Sequence, residues 1–197
     1  MYHIQKDIRA QKSAKLIGEG MLKCLELKRF EEITVSDLQR ASTVGRSTFY
    51  RLFDNTADVL SFLCDGIFEQ AGREYAQLSK LTADETTLRF IRIWMENKGL
   101  LKAIVDSGRT EFLHAAHMKY LAPNDTFFPG TEAMDPVQVE YLMTTLTSCI
   151  AAFLSVWIKN GGQETAEQLQ KRIKVCFQML GQIFDNKDKI LPTIDQI

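Results

Sequence analysis

Cysteine, proline and glycine are all scarce in this sequence of 197 residues, and each shortage excludes a class of protein. The four cysteines lie far apart without a CxxC pair, which argues against disulfides or a zinc site and favours buried thiols. Eleven glycines and four prolines exclude collagen-like and low-complexity chains. We see no uninterrupted apolar run of the ~18 residues that a membrane span needs, and no basic-then-apolar secretory signal at the start. We therefore expect a soluble, cytoplasmic protein that needs neither a metal nor another cofactor.

Charge of one sign is also lacking, because 24 lysines and arginines face 25 aspartates and glutamates, for a net charge of −1. This balance excludes a uniformly basic coat for nucleic acid. It is uneven along the chain, however: residues 1–55 carry ten basic and seven acidic side chains, so the excess of acid lies in residues 56–197. A basic front on an acidic body fits a nucleic-acid-binding module with a regulatory body, although halves of enzymes differ this much by chance.

Helical spacing of apolar residues dominates the whole chain, and period-two alternation is nowhere sustained. The sequence therefore predicts an all-α fold, with a three-helix head in residues 1–55 and a helical body of five or six helices in residues 56–197. The predicted helices cover residues 7–28, 35–42, 45–52, 56–78, 82–99, 100–106, 110–122, 136–159 and 165–184. Residues 123–136 hold three of the four prolines and are predicted to form a long loop.

The last two predicted helices carry a signal for self-association. The helix over residues 136–159 has a bulky apolar stripe on one side and small residues on another, among them Thr144, Ser148, Ala151 and Ser155. A helix of this kind can pack on both sides, so two antiparallel pairs can form a four-helix seam between the subunits of a homodimer. The alternative is that both sides are buried within one subunit.

Residues 34–53 contain the most informative pattern. Thr34 is a strong N-cap, and Asp37 can return the bond to its backbone. A short helix, a turn at Thr43 and Val44 and a second short helix would follow, which fits a helix-turn-helix. The second helix would expose polar side chains that suit phosphates and base edges: Arg46, Ser47, Thr48, Tyr50 and Arg51. From this pattern alone, an ordinary helical hairpin with a polar outer face is equally compatible.

The full run from Ile33 to Phe53 (I-T-V-x-D-L, then an alanine, an apolar plug, R-S-T-F-Y-R and a closing phenylalanine) resembles the N-terminal module of the TetR family of transcription regulators. The likeness covers residues 12–62. It implies a homodimer that binds a palindromic operator in double-stranded DNA, with these contact residues: Thr34, Arg46, Ser47, Thr48, Tyr50, Arg51, Asn55 and Thr56. The sequence departs from the family pattern at Thr43, where glycine is usual, at Gly45, where serine is usual, and at Thr56, where lysine is usual.

The segment Trp157-Ile158-Lys159-Asn160-Gly161-Gly162 is similar to a C-terminal subtype of that family, which includes the activator of dihydroxyacetone-kinase operons. The resemblance implies a regulator rather than an enzyme. We expect a repressor that is released from its operator by an effector bound in the C-terminal domain. The alternative is an activator gated by a protein partner, with no small-molecule pocket.

An effector pocket is predicted from side chains that could line an apolar cavity between helices: Trp94, Phe112, His117, Tyr120 and Trp157. The alternative is a filled core. His114 and His117 have a spacing that can bind a metal, but no third ligand is near in sequence, so we expect no metal site. No Ser-His-Asp order, glycine-rich phosphate loop or paired-carboxylate motif points to catalysis.

Overall fold

The computed structural model describes residues 2–4, 7–76, 82–120 and 134–185. Within these ranges the chain forms nine α-helices and no strand, apart from an isolated antiparallel bridge between Tyr2 and Phe53. The helices are α1 (Ile8–Leu27), α2 (Val35–Ser42), α3 (Arg46–Leu52), α4 (Thr56–Ala76), α5 (Ala83–Glu96), α6 (Lys98–Asp106), α7 (Glu111–Tyr120), α8 (Pro136–Lys159) and α9 (Ala166–Asp185). The prediction of an all-α fold is confirmed. Most of the predicted loop over residues 123–136 lies outside the described residues.

Helix starts are set by local side-chain chemistry, as the sequence predicts. At α2, Thr34 Oγ1 accepts from the Asp37 N–H at 3.2 Å, and the Asp37 carboxylate accepts from the Thr34 N–H at 2.9 Å. Thr82 and Glu85 form the same reciprocal pair at α5. Because each pair satisfies two backbone groups that a helix end leaves unpaired, these residues determine where the helices begin.

The head is built by α1 lying across α2 and α3. Its core consists of fully or nearly fully buried side chains, including Ile17, Met21, Leu38, Phe49 and Phe53. At Gly20, a Cβ atom would lie 3.1 Å from the backbone nitrogen of Ser42. This close approach is the reason that a glycine occupies the middle of α1 despite its cost to helix stability.

Thr43 ends α2 in the left-handed conformation, with φ of 60°. A β-branched residue is strained there, and its hydroxyl donates to the Ser42 carbonyl at 2.6 Å, which offsets only part of the cost. We expect Thr43→Gly to raise the free energy of unfolding by about 0.5–1 kcal/mol, measured by urea denaturation. Thr43→Ala keeps the Cβ atom and serves as the control. A glycine variant less stable than the alanine variant would contradict the prediction.

The body is a helical stack in which α4 packs on α7, α7 packs on α8, and α5 packs on α9. Helix α6 touches both α1 of the head and α8 of the body. Helix α8 is the one described helix long and apolar enough to cross a membrane by length and composition. Leu154, Trp157 and Ile158 on its inner side are buried. A core helix of a globular helical domain has the same properties, so this finding is weak evidence for a membrane span.

The Asn160-Gly161-Gly162 turn between α8 and α9 is a Schellman motif whose carbonyl groups bind Lys98. The Gly162 N–H donates to the Trp157 carbonyl at 2.9 Å, and Gly161 and Gly162 both have positive φ. Lys98 at the start of α6 donates to the carbonyls of Gly161 and Gly162 at 3.1 and 2.9 Å, and its ammonium lies 5.3 Å from the Trp157 ring centroid. Residues 157–162, which resemble the C-terminal subtype, therefore have a structural role: they form the turn between α8 and α9 and bind Lys98 of α6.

Gly162→Ala tests this turn. A Cβ atom on Gly162 would lie 2.7 Å from Lys98 Cε, and its φ of 60° disfavours side chains. We expect the free energy of unfolding to fall by about 1–3 kcal/mol in thermal or urea unfolding. Gly99→Ala is the control, because a Cβ atom there meets open space. Equal stability of Gly162→Ala and wild type would show that Lys98 does not hold the turn.

Candidate nucleic-acid interface

The exposed side of α3 carries most of the predicted DNA-contacting residues. Phe49 and Leu52 are buried and attach the helix to the head, because they follow each other at helical spacing on its inner side. The other side exposes Arg46, Ser47, Tyr50 and Arg51 to solvent, with Thr48 half-buried between the two sides. The structure therefore brings two cations and two hydroxyl groups together on one short helix face.

Arg46 and Tyr50, one helical turn apart, are stacked on each other. The Arg46 guanidinium carbon lies 5.6 Å from the Tyr50 ring centroid, and Nη2 lies 3.5 Å from the Tyr50 hydroxyl. The Tyr50 ring also stands edge-on to buried Phe49 at 5.4 Å. This contact chain limits the rotamers of Arg46 before any ligand arrives, which lowers the entropy lost on binding.

The remaining predicted contacts lie at the starts of neighbouring helices. Thr34 is exposed at the start of α2. Asn55 precedes α4 and accepts from the Asp58 N–H at 3.1 Å, so it serves as a cap as well as an exposed amide. Thr56 is half-buried as the first residue of α4.

Sequence reasoning missed a charged cluster beside Thr34. The Asp37 carboxylate accepts from Lys28 Nζ at 2.5 Å and from Arg40 as well as from Thr34. The bond from Lys28, followed by the backbone and side-chain bonds from Thr34, holds the pKa of Asp37 well below its usual range. Asp37 thus remains an anion that fixes Lys28 and exposed Arg40 next to the cap. The spacing of Asp37 and Arg40, three residues apart on a helix, was the signal for this pair.

No cavity described for the structured part of the chain is lined by more than one of the five residues predicted to form an effector pocket. Trp94 is fully buried, and its indole N–H has no partner among the described groups. The Trp157 ring contacts the Lys98 ammonium at the turn between α8 and α9. The Tyr120 ring contacts the Lys119 ammonium near the head. Phe112 is half-buried, with the Arg109 guanidinium carbon 5.8 Å from its ring centroid. Of the five, His117 lines a small described cavity of about 10 Å³ between α4, α5, α7 and α8.

His117 is a buried, neutral histidine in an aromatic enclosure. Phe68 and Phe90 stand edge-on to its ring at 5.8 Å each. Its Nδ1 lies 2.6 Å from Thr147 Oγ1, and that hydroxyl lies 2.7 Å from the Met143 carbonyl. Since the carbonyl only accepts, the hydroxyl donates to it, and we assign the Nδ1–H as the donor to Thr147. Burial, and secondarily the charge of His114, lowers the pKa of His117 to about 4.

This lowered pKa predicts a loss of stability in mild acid. The ordinary pKa of histidine is 6.5, so between this value and about 4 the unfolded chain binds the proton and the folded chain does not. The free energy of unfolding is therefore highest above pH 6.5 and is expected to fall towards pH 4, by roughly 3 kcal/mol in total from this group. Urea unfolding at several pH values should show a shallower slope for His117→Leu. Equal slopes for variant and wild type would contradict this account.

Among the described residues, no group of three or more histidine, cysteine, aspartate or glutamate side chains could hold a metal ion. His117 faces the core with Thr147 as its partner rather than joining His114 in a ligand pair.

No family model and no curated protein matches this sequence. Solved structures do match its fold. A TetR transcriptional regulator from Streptococcus agalactiae is 22% identical with a TM-score of 0.57, and the match covers 85% of this chain and 94% of that one. The dihydroxyacetone kinase operon activator DhaS is 18% identical with a TM-score of 0.59, covering 87% and 97%. Lin0861 from Listeria innocua is 18% identical with a TM-score of 0.67, covering 90% and 96%.

These matches extend over the head and the body together, since each covers at least 85% of this chain. The helix-turn-helix resemblance of residues 34–53 and the all-α architecture of the described residues agree with them. The chain therefore has the fold of the TetR-family transcription regulators.

Proposed function

We propose that the protein is a homodimeric, sequence-specific DNA-binding transcription regulator, in which each subunit places α3 in the major groove of an approximately palindromic operator. The observation that carries the proposal is the exposed face of α3, with Arg46, Ser47, Tyr50 and Arg51, on the second helix of the helix-turn-helix. The matched structures named as a TetR regulator and as an operon activator support the same function.

The side chains of this face can make both kinds of contact that DNA recognition needs, to base edges and to phosphates. An arginine can donate two bonds to the O6 and N7 atoms of guanine, as we propose for Arg46. Hydroxyl groups of Ser47, Thr48 and Tyr50 can bond phosphates, which fixes the register of the helix on the duplex. Arg51 adds a charge that displaces counterions from the DNA.

The homodimer is supported by an apolar stripe on α9 that continues past the helices covering it. Leu169 and Ile173 are buried, whereas Leu180 and Ile183, on the same side of the helix, are each 43% exposed. A second copy of the chain would cover this end of the stripe. On α8, Thr144 and Ser148 of the small-residue side are exposed, but Ala151 lines the internal cavity instead. Close approach to a partner would therefore involve Thr144 and Ser148.

We propose repression of the regulated genes, with an effector in the body that releases the dimer from its operator. A ligand that prefers a different distance between the two heads weakens DNA binding by its differential affinity for that state. The described cavity beside His117 holds only about 10 Å³, so a ligand at that place would have to widen it. One described opening in the body is a groove of about 430 Å³ between α5, α8 and α9, lined by Leu146, Ile150, Ile173 and Phe177 among others.

The small size of the described cavity beside His117, about 10 Å³, favours a second candidate, an activator gated by a protein partner. Trp94 and Trp157, the only tryptophans, are both buried, so ligand entry near them should change their fluorescence. Thermal shift and fluorescence screening with apolar compounds therefore separates the two candidates, since a ligand of the folded state raises the melting temperature. If a lysate protein changes operator binding and no compound shifts either signal, gating by a partner is the better account.

Selection of bound duplexes from a random library and from genomic fragments tests the DNA-binding proposal. We expect a sequence with two inverted half-sites, at a spacing that places the α3 helices about 34–36 Å apart. Affinity should fall steeply with salt, because arginine contacts to phosphate release counterions. A purified protein that enriches no sequence at ~50 mM salt would refute the proposal.

A further inference from the structure

Residues 2–4 are hydrogen-bonded to the C-terminal end of α3, the helix that we propose to enter the major groove. Residues 2–4 run antiparallel beside Phe53, which follows α3: Tyr2 bridges Phe53, and the His3 N–H donates to the carbonyl of Leu52 at 2.8 Å. His3 Nε2 also lies 3.1 Å from an Asp54 carboxylate oxygen. Residues 53–55 connect α3 to α4, and α3 also packs on α1 and α2, so this contact is an additional attachment at the C-terminal end of α3.

The Tyr2 side chain connects this N-terminal segment to α4, the first helix of the body. Its ring stands edge-on to Phe62 of α4 at 5.7 Å, and its hydroxyl donates to the Asp65 carboxylate of α4. Burial, and then the hydrogen bond and charge of Asp65, raise the pKa of Tyr2, so the hydroxyl keeps the proton that it donates.

Asp65 connects the same point to α7. Its carboxylate accepts from Lys119 Nζ at 2.8 Å and lies 3.4 Å from the Tyr120 hydroxyl. The Lys119 ammonium lies 5.9 Å from the Tyr2 ring centroid and 4.8 Å from that of Tyr120. The Asp65 side chain is only 13% exposed, which strengthens these bonds relative to a surface ion pair. Three segments that are distant in sequence therefore meet at one carboxylate.

We propose that Tyr2, Asp65 and Lys119 are positioning residues that hold α3 at a fixed angle to the body and thereby determine how strictly the dimer selects the spacing of its half-sites. The inference rests on the proposed function. Helix α3 is held in the head by its packing on α1 and α2, and the contacts of Tyr2 with Phe62 and Asp65 add a direct link to α4 that further restricts the rotation of α3 against the body. Both α3 helices of the dimer must fit successive major grooves on one side of the DNA. When the angle between α3 and the body is fixed, an altered half-site spacing therefore costs more binding free energy.

The experiment uses the operator that the wild-type protein selects, together with versions in which one base pair is added or removed between the half-sites. Tyr2→Phe removes the hydroxyl and keeps the ring, and Lys119→Gln removes the cation. We expect both variants to bind the selected spacing within about threefold of wild type, while their discrimination against the altered spacings falls by about tenfold. Lys102→Gln, which breaks an exposed pair with Asp106 within α6, is the control and should keep the wild-type profile.

Each result separates this inference from the proposed function. Variants that keep the wild-type spacing profile, or that lose affinity by the same factor at every spacing, would overturn the positioning role and leave DNA binding intact. A wild-type protein that selects no operator would remove the proposed function, and this inference with it. Thermal unfolding of each variant shows that a changed profile comes from a folded protein.

Discussion

Arg46→Ala is expected to weaken operator binding by about 1–3 kcal/mol, which corresponds to a 5- to 150-fold rise in the dissociation constant. Arg46 is exposed on α3, and its stacking on Tyr50 holds the guanidinium close to the helix face that we place in the major groove. Fluorescence anisotropy with the selected operator measures the change. Because the guanidinium would read a base, the preference at one position of each half-site should relax as well.

Two further variants separate base reading from charge. Arg46→Lys keeps the charge but not the planar fork, so it should lose specificity more than non-specific affinity. Tyr50→Phe removes only a hydroxyl, and we expect a weaker phosphate contact with an unchanged sequence preference. If Arg46→Ala weakened binding to operator and random DNA by the same factor, Arg46 would contact phosphate rather than a base.

Leu180→Arg is expected to convert the proposed dimer into a monomer and to weaken binding to the two-half-site operator by about 10²–10⁴-fold. Leu180 continues the stripe of α9 that begins with buried Leu169 and Ile173, and an arginine there would bring an unpaired charge into the seam. Binding of one half-site no longer raises the effective concentration of a second head when the subunits separate. Sedimentation measures the oligomeric state, and anisotropy measures operator affinity.

Gln182→Arg is the matched control, since it introduces the same charge on the opposite side of α9. It should remain dimeric and keep operator affinity. Circular dichroism should show the same helix content for both variants. A wild-type protein that is monomeric at tens of micromolar would contradict the dimer, and a dimeric Leu180→Arg variant would place the seam elsewhere.

Features that depend on neighbouring residues in sequence were predictable. Reciprocal caps such as Thr34 with Asp37 act over three residues, so the start of α2 could be predicted from the sequence. Apolar spacing likewise predicted that Phe49 would be buried and that Arg46 would be exposed on α3. The domain boundary near residue 55 and the DNA contacts themselves stay predictions.

Features that depend on distant residues were not predictable. Aromatic spacing indicates which side of a helix is buried, but it does not tell whether buried rings leave a void, so the effector pocket stays a prediction. The glycine pair at residues 161–162 marked a helix end, yet the lysine that holds it is more than sixty residues away. Nothing local marked Tyr2, because its partner Asp65 lies on another helix.

By itself, the sequence determined the helices, their caps and the polar face of α3, because hydrogen-bonding and burial preferences act within a few residues along the chain. Only the tertiary structure decided which buried side chains meet. The docked helices surround His117 with side chains of α4, α5 and α8. They also bring Lys98 to the α8–α9 turn, and they bring Tyr2 and Lys119 to Asp65 of α4. The physical reason is that packing and ion pairing depend on distances between segments far apart in sequence, and these distances exist only once the helices have docked against one another.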